Sequence, residues 1–535
     1  MSIVNYIFIT FYSLLNTFLV FKVCKRLFLE FQLDGYSSKL FFAFLVKSFS
    51  QIAKKILITV FVSFILCFAI SFFIVKVTML DSLLFISALP YFLNALHLIK
   101  VLNSANTKLK INYTKRFLRI FAIFLVFFSI FNAVLIYFTL LLTNYINYSI
   151  LSISLIFGVL FIPFVNNILT PLELFIKHHY KRKAQKKLAG FGHLIKIGVT
   201  GSYGKTSTKN ILHKVLSQKY LVCSSPKSYN TEMGLAKVIL NDLKNYHDVL
   251  ICEMGANHTN DIKKLCKFIK PNIGIITAVG NSHLRTFKTT LNLQKTKYQL
   301  VDFVCKNNGV MIFNADNKIS YKFYQSADTE KYSVSATSFN ADVFAINTTF
   351  STAGTHFTLV TKYWKSECET KLLGRGHLED ILLSVAVAVK LKVDKDEIVM
   401  AIRNLGVVPH RLELKQVDNY YILDDAYNSN LQGASYALEV LSMFESKKIV
   451  VTPGIVELGK MSGGENKLLG QKISKIADVC IIVNETNKEA IKSGINNKIK
   501  CYEVKSLNEA NAIIKNEICK NACVLYENDL PDNYI

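Results

Sequence analysis

Hydrophobic and polar positions divide this chain into two unlike stretches. Before residue 190 the apolar positions come in long blocks. Residues 1–21 and 56–75 carry no charge, and each is about the length of one bilayer-crossing helix. Residues 82–99 form a shorter, weaker block containing Pro90, Asn94 and His97, and residues 120–172 run 53 positions without a charge, with a polar break near Thr143–Ser149. This pattern predicts five spanning helices. A cleaved signal peptide is not expected, because no small-residue cleavage site follows the first block and further blocks come after it. From Leu194 short apolar runs alternate with amphipathic segments. Strands are predicted at Ile195–Val199, Asp248–Gly255, Ile273–Val279 and Val310–Phe313, with a helix at Asn210–Leu216, which is a doubly wound α/β pattern. Strands at Lys448–Thr452 and Val479–Val483 around a helix at Gly433–Phe444 predict a second, smaller, Rossmann-like α/β domain.

Charge sharpens the division. The chain has 535 residues and a formal net charge of +25, and residues 1–190 hold 20 Lys+Arg against 4 Asp+Glu. With a mean hydropathy of +0.30, a single soluble domain and a disordered chain are excluded. The expected parts are a helical transmembrane domain (1–176), a basic juxtamembrane linker (177–190), a central α/β domain (191–409) and a C-terminal domain (410–535). Basic residues gather in 22–55, 100–119 and 177–187, while the intervening connections hold only Lys76. The positive-inside rule then predicts a multi-pass protein of the bacterial cytoplasmic (inner) membrane with its catalytic domains facing the cytoplasm. The basic run at 177–187 is read as a partner for anionic membrane lipid, with no nucleic acid among the partners. Eleven cysteines contain no CxxC pair, the closest being Cys519 and Cys523; this favours reduced structural thiols over a zinc site or a disulfide framework.

The most specific local signal is Thr200-Gly-Ser-Tyr-Gly-Lys-Thr206, between a strand and a helix. Gly201 and Gly204 let backbone N–H groups approach phosphate oxygens, with Ser202 and Ser207 beside them. Lys205 supplies a positive charge, and the Thr206 hydroxyl is suited to Mg²⁺. Valine at 199 breaks the common phosphate-loop spacing, so the match is to a shorter G-x-x-G-K-T form. Glu253 ends a buried apolar strand, where a parallel sheet would deliver a Mg²⁺ ligand. His283 follows another strand and reads either as a metal ligand or as an ordinary loop histidine. The residues alone lead to an ATP–Mg²⁺ enzyme.

In order along residues 191–535, several motifs resemble those of the Mur ligase family, the ATP-dependent amide ligases of peptidoglycan precursor synthesis. The ATP loop is joined by Ser228-Tyr-Asn-Thr-Glu-Met-Gly234, Glu253-Met-Gly-Ala-Asn-His258, Asn314-Ala-Asp316, Pro409-His-Arg411, Asp424-Asp-Ala-Tyr-Asn-Ser-Asn430 and Val456-Glu-Leu-Gly459. The resemblance is strongest to the branch that adds D-alanyl-D-alanine to UDP-N-acetylmuramoyl-tripeptide. It implies ATP and two Mg²⁺ ions, with Thr206 and Glu253 on the first, and His283 and a Lys297 carbamylated by CO₂ on the second. It further implies that Asn314, Arg411 and Asp425 contact the nucleotide, that Lys205, Lys297, His283 and Arg411 are catalytic, and that Asn230, Thr231, Tyr427, Asn428 and Asn430 meet substrate. The alternative for Lys297 is an ordinary surface lysine among the 63 basic residues. The chain departs from the family at Gln299 and Asp261, each in place of Glu, and in Gly374-Arg-Gly-His-Leu-Glu-Asp380. It also has the apolar blocks where the family has a UDP-sugar-binding domain.

The implied reaction is attack of an acceptor carboxylate on the γ-phosphate, then displacement of phosphate from the acyl phosphate by an amine. The expected substrates are a UDP-linked muramoyl peptide and D-alanyl-D-alanine, with membrane enzymes of cell-wall synthesis as further partners. Two rivals remain. One is a membrane-bound amide ligase for another acceptor, of the poly-γ-glutamate synthetase kind. The other is an ABC-like transporter, suggested by Met461-Ser-Gly-Gly-Glu465 and by the acid Glu485 after a strand.

Overall fold

The computed structural model of the protein describes residues 3–47, 52–74, 88–103, 111–142, 152–226, 229–417, 420–427, 430–496, 499–517 and 521–528. The chain forms two units, residues 1–177 and 178–534.

The first unit is helical: α1 (Ile3–Leu33), α2 (Ser38–Lys47), α3 (Lys54–Phe73), α4 (Leu89–Asn103), α5 (Lys115–Leu142) and α6 (Ser154–Ala189), the last continuing into the second unit. Phe28, Phe117, Phe124 and Phe128 lie in its apolar interior. A polar knot is set into that interior: the Asn16 amide donates to Asn132 Oδ1 and Ser154 Oγ at 3.0 and 2.9 Å, and Tyr91 donates to Asn16 Oδ1 at 2.5 Å. Such satisfied buried polar groups fix the register between helices that apolar packing alone leaves open. Among the described residues three helices are long and apolar enough to cross a membrane: Lys54–Phe73, Lys115–Phe138 and Ser154–Ala189. This corrects the expected five. The block at 82–99 yields only the shorter Leu89–Leu102 segment, and residues 82–87 and 143–151 lie outside the described residues. Residues 177–189 form the end of α6.

The second unit holds two sheets. In the first, β1 (Ile195–Thr200), α7 (Lys205–Leu216), β2 (Val222–Ser224), α8 (Glu232–Asn241), β3 (Val249–Glu253), α9 (Asp261–Ile269), β4 (Ile273–Ile276), α10 (Leu284–Phe287), α11 (Thr290–Lys306), β5 (Val310–Asn314), α12 (Lys318–Ser326) and β6 (Glu330–Ser335) alternate. The strands β7 (Val343–Ser351), β8 (Gly354–Thr361) and β9 (Lys365–Thr370) follow, then α13 (Gly374–Lys390) and α14 (Lys395–Arg403). The order is β2-β3-β1-β4-β5-β6-β7-β8-β9, parallel from β2 to β7 and antiparallel across β7, β8 and β9. Crossover helices cover the parallel strands, so β1, β3, β4 and β5 are almost wholly buried.

The second sheet contains β10 (Glu413–Val417), β11 (Tyr420–Asp425), α15 (Leu431–Ser442), β12 (Lys447–Thr452), α16 (Ser462–Ile476), β13 (Val479–Val483), α17 (Lys488–Lys492), β14 (Lys500–Val504), α18 (Leu507–Glu517) and β15 (Ala522–Glu527), in the order β10-β11-β15-β12-β13-β14. Only the β10–β11 pair is antiparallel. Parallel strands present their C-terminal ends on one side, where open α/β sheets bind ligands. Thr200, Glu253 and Asn314 close β1, β3 and β5 at that edge.

Candidate functional site

The phosphate loop is built by close approach. A Cβ at Gly201 would lie 2.0 Å from Thr277 Oγ1 and 2.9 Å from the Ala278 carbonyl, so the loop is pressed onto the end of β4. Gly204 stands at φ 77 before the first turn of α7, a backbone conformation that suits glycine. Ser202 Oγ donates to the Gly280 carbonyl at 2.8 Å and tethers the loop from the other side. The N-terminus of α7 faces this turn, with Lys205 and Thr206 in its first turn and Ser207 buried behind them.

Lys205 Nζ donates to the Ser202 carbonyl at 3.1 Å. Burial pushes its ammonium down to about 8; Glu253 opposes this and the Arg411 guanidinium adds to it. Thr206 Oγ1 donates to Glu253 Oε2 at 3.0 Å, and Asn230 Nδ2 donates to Glu253 Oε1 at 3.1 Å. Lys209, not identified as functional from the sequence, places Nζ 3.4 Å from Glu253 Oε2, with both side chains at most 2% exposed. A cation therefore already balances this carboxylate, and the hydroxyl-plus-carboxylate set suits a hard divalent ion.

Lys297 is buried on the inner face of α11, with Nζ 3.5 Å from Thr200 Oγ1. Burial holds it well below the usual lysine range, helped by Lys205 and opposed by Asp261 and Glu253. This excludes the surface-lysine reading. His283, in the loop after β4, has its Nδ1 hydrogen-bonded to Glu457 Oε2 of the second sheet's domain. That leaves Nε2 as the free ring nitrogen.

A narrow open cleft of about 70 Å³ lies between the two sheets' domains. Gly204, Ser207 and Asn314 line it from one side, Arg411, Asp425, Tyr427 and Asn430 from the other. Arg411 lies between two non-glycine residues in left-handed conformation, His410 (φ 60) and Leu412 (φ 46). Its guanidinium stacks 4.4 Å over the Tyr427 ring and donates to the Tyr427 carbonyl at 3.1 Å. Asp425 is raised to about 6 by burial, against Arg411 and the Leu412 N–H. Asn314 Nδ2 donates to Glu379 Oε2 at 2.7 Å and Tyr436 OH to Glu379 Oε1 at 2.5 Å, so Glu379 joins the two domains behind the cleft. Burial raises Glu379 to about 7. Glu379 lies in the Gly374–Asp380 motif, but neither its role nor that of Tyr436 was identified from the sequence.

The residues expected to meet substrate divide. Asn230 faces Glu253, whereas Thr231 caps α8 by accepting from Gly234 N. Asn430 is buried and caps α15 through Gln432 N and Gly433 N, and Asn428 lies outside the described residues. The transporter motif also dissolves. Glu465 is in the first turn of α16 and accepts from Asn281 Nδ2 at 3.0 Å, while Glu485 is exposed and paired with Lys488. A third acidic group, His410, Glu413 and Asp424, is occupied by Lys415 Nζ, 2.7 Å from Asp424 and 3.0 Å from Glu413.

Residues 199–388 match the family described as the Mur ligase middle domain. The UDP-N-acetylmuramoyl-tripeptide--D-alanyl-D-alanine ligase of Buchnera aphidicola (subsp. Baizongia pistaciae) is 28% identical over 278 residues, 52% of this chain and 60% of that protein. The ligase of the same name from Escherichia coli K12 is 27% identical over 303 residues, 56% and 67%. The matched part thus spans only about 60% to 67% of these relatives' length. Among solved structures, MurF from Acinetobacter baumannii superposes with a TM-score of 0.61 at 23% identity, covering 66% of this chain and 77% of that one. MurF ligase from Thermotoga maritima in complex with ADP gives 0.59 at 25% identity, covering 66% and 80%. The two sheets are Mur-ligase-like α/β domains. The expected multi-pass location in the cytoplasmic membrane is corrected: among the described residues three helices rather than five meet the length and apolarity of a span, and the relatives that this chain matches carry the name of UDP-N-acetylmuramoyl-tripeptide--D-alanyl-D-alanine ligases. The lipid and membrane-enzyme partners lose their support with it.

Proposed function

We propose that this chain is an ATP-dependent amide ligase of peptidoglycan precursor synthesis, joining D-alanyl-D-alanine to UDP-N-acetylmuramoyl-tripeptide with formation of a C–N bond. One observation carries the reading. The cleft is lined jointly by the phosphate loop (Gly204, Ser207) and by Arg411 and Asp425 of the second sheet's domain, as a two-domain enzyme closing over ATP requires. The names of the relatives supply the acceptor and the amine. The parts proposed are residues 1–176, 177–190, 191–409 and 410–535; the change of sheet between Arg403 and Glu413 supports the last boundary.

In the proposed reaction the acceptor carboxylate attacks the γ-phosphate and ADP departs. The amine of D-alanyl-D-alanine then attacks the acyl phosphate carbon, and phosphate leaves from the tetrahedral intermediate. No protein nucleophile takes part, so the chain contributes position and charge. Lys205 and the N–H groups of Gly201 and Gly204 hold phosphate oxygens, while the Ser202 N–H donates to the Ala278 carbonyl at 2.6 Å and shapes the loop. Thr206 and Glu253 are the residues for one Mg²⁺, His283 and Lys297 for another; the ions would neutralise charge on the transferring phosphoryl group. Burial lowers the Lys297 amine below the usual lysine range, which favours the neutral form that adds CO₂, and the resulting carbamate is an oxygen ligand in place of a repelling ammonium. Asn314, Arg411 and Asp425 hold the nucleotide. Asn230 and Tyr427 remain candidates for substrate contact; Thr231 and Asn430, engaged as caps, are weaker ones.

A second reading keeps the chemistry and changes the acceptor, and the unmatched third of the relatives' length favours it. Both are tested by ATP turnover in the purified full chain. Turnover that needs both the muramoyl tripeptide and D-alanyl-D-alanine supports the first. Turnover only with other acceptors supports the second, and acceptor-independent turnover removes both.

A further inference from the structure

The loop after β4 and the loop after β12 belong to different domains and meet at a cluster of polar contacts, centred on His283 Nδ1 to Glu457 Oε2. Both residues are left-handed without being glycine, His283 at φ 51 and Glu457 at φ 62. Each such residue costs about 1 kcal/mol or more and persists where its surroundings enforce it, commonly at functional sites. The surroundings are visible here. The Arg285 N–H donates to the Glu457 carbonyl at 2.9 Å, and the Arg285 guanidinium lies 3.8 Å from Glu457 Oε1. Asn281 Nδ2 donates to Glu465 Oε1 at 3.0 Å. One short loop, 281–285, is thus held at three residues by the neighbouring domain.

We propose that Glu457 is a positioning residue that fixes His283 in its Nδ1–H tautomer, so that closure of the C-terminal domain prepares Nε2 as a metal ligand. A neutral imidazole has one N–H and one lone pair. A carboxylate accepting from Nδ1–H therefore puts the lone pair on Nε2 and also fixes the plane of the ring. Carboxylates behind metal-binding histidines commonly act in this way. The position of Glu457 adds a condition: the carboxylate comes from the other domain, so His283 is oriented only while the two are together. Binding of nucleotide in the cleft and preparation of the second metal position become one event. The inference rests on the proposed role of His283 in the ligase.

The test uses the full chain with ¹⁵N-labelled histidine and a non-hydrolysable ATP analogue, without added Mg²⁺. Long-range ¹H–¹⁵N correlation, with His283 assigned by H283N, reads its tautomer. The wild type and E457D show Nδ1–H, and E457A shows a mixture. In parallel, acceptor-dependent ATP turnover is titrated with Mg²⁺. E457A needs about 10- to 100-fold more Mg²⁺ for half its maximal rate, while kcat at saturating Mg²⁺ stays within about 3-fold and E457D lies near wild type. An Nε2–H wild type overturns the proposal, as does E457A with an unchanged Mg²⁺ requirement or with a loss confined to kcat. If the wild type shows no acceptor-dependent turnover, the ligase reading fails, and the tautomer still decides whether Glu457 orients His283. Should E457A not fold, E457Q replaces it: a mixed tautomer is expected, and retained Nδ1–H with an unchanged Mg²⁺ requirement overturns the proposal.

Discussion

Replacing Lys209 by methionine probes the buried charge beneath the phosphate loop. The substitution keeps an unbranched chain of similar length and removes only the ammonium. Lys209 and Glu253 are 1% and 2% exposed and 3.4 Å apart. Removing one member of a buried pair costs about 3–5 kcal/mol, because the other is left uncompensated. Glu253 keeps its hydrogen bonds from Thr206 and Asn230, and the ion-pair contact is long, so the low end applies: about 3 kcal/mol, or a fall of roughly 4 °C in Tm for a unit of this size. Calorimetry of the full chain without nucleotide or Mg²⁺ measures it. The companion variant E253Q leaves Lys209 buried without its carboxylate and also loses stability. The double variant K209M/E253Q removes both charges and loses at least about 1 kcal/mol less than the sum. Additivity within about 0.5 kcal/mol, or a K209M variant as stable as wild type, would refute the coupling.

Gly201→Ala drives a Cβ to 2.0 Å from Thr277 Oγ1 and 2.9 Å from the Ala278 carbonyl. ATP affinity in equilibrium binding falls about 10- to 100-fold as the loop shifts, the equivalent of 1–3 kcal/mol of overpacking. Burial raises Glu379 from 4.5 to about 7, so the folded chain holds that proton more tightly than the unfolded one. Its favourable contribution is full below about pH 4.5 and is lost as pH rises through 7. E379Q therefore gains on wild type between pH 5 and pH 8, by up to about 3 kcal/mol in denaturant unfolding. With ¹³C-bicarbonate, the protein shows a carbamate carbon resonance that is absent in Lys297→Ala, because the depressed amine is the CO₂-reactive form.

The parts legible in the sequence were those set by local pattern. The strand before the phosphate loop and the helix after it fall at Ile195–Thr200 and Lys205–Leu216, because glycines at 201 and 204 separate an apolar run from an amphipathic one. Val479–Val483 was legible for the same reason, as a short apolar run between polar segments. The hairpins β7–β9 were not, since their alternating faces mix with Thr, Ser and Lys and give only a weak signal. Long-range pairings were invisible in principle. Glu457 and Tyr436 lie in or near motifs that the sequence offers, but 174 residues separate Glu457 from His283 and 57 separate Tyr436 from Glu379. Nothing in a local window links them. Lys209 stands in a motif already singled out, and its role became clear only from its burial. The apolar blocks show the opposite failure: length without charge predicted five spans, and among the described residues three helices meet the requirement.

The central claim is tested most directly by product formation. The purified full chain is given ATP, Mg²⁺, bicarbonate, UDP-N-acetylmuramoyl-tripeptide and D-alanyl-D-alanine, and the mixture is read by mass spectrometry. The account predicts the UDP-N-acetylmuramoyl-pentapeptide with one ADP and one phosphate per product, and none from Lys205→Ala. Acceptor-independent ATP hydrolysis without pentapeptide, or undiminished product from Lys205→Ala, would contradict it.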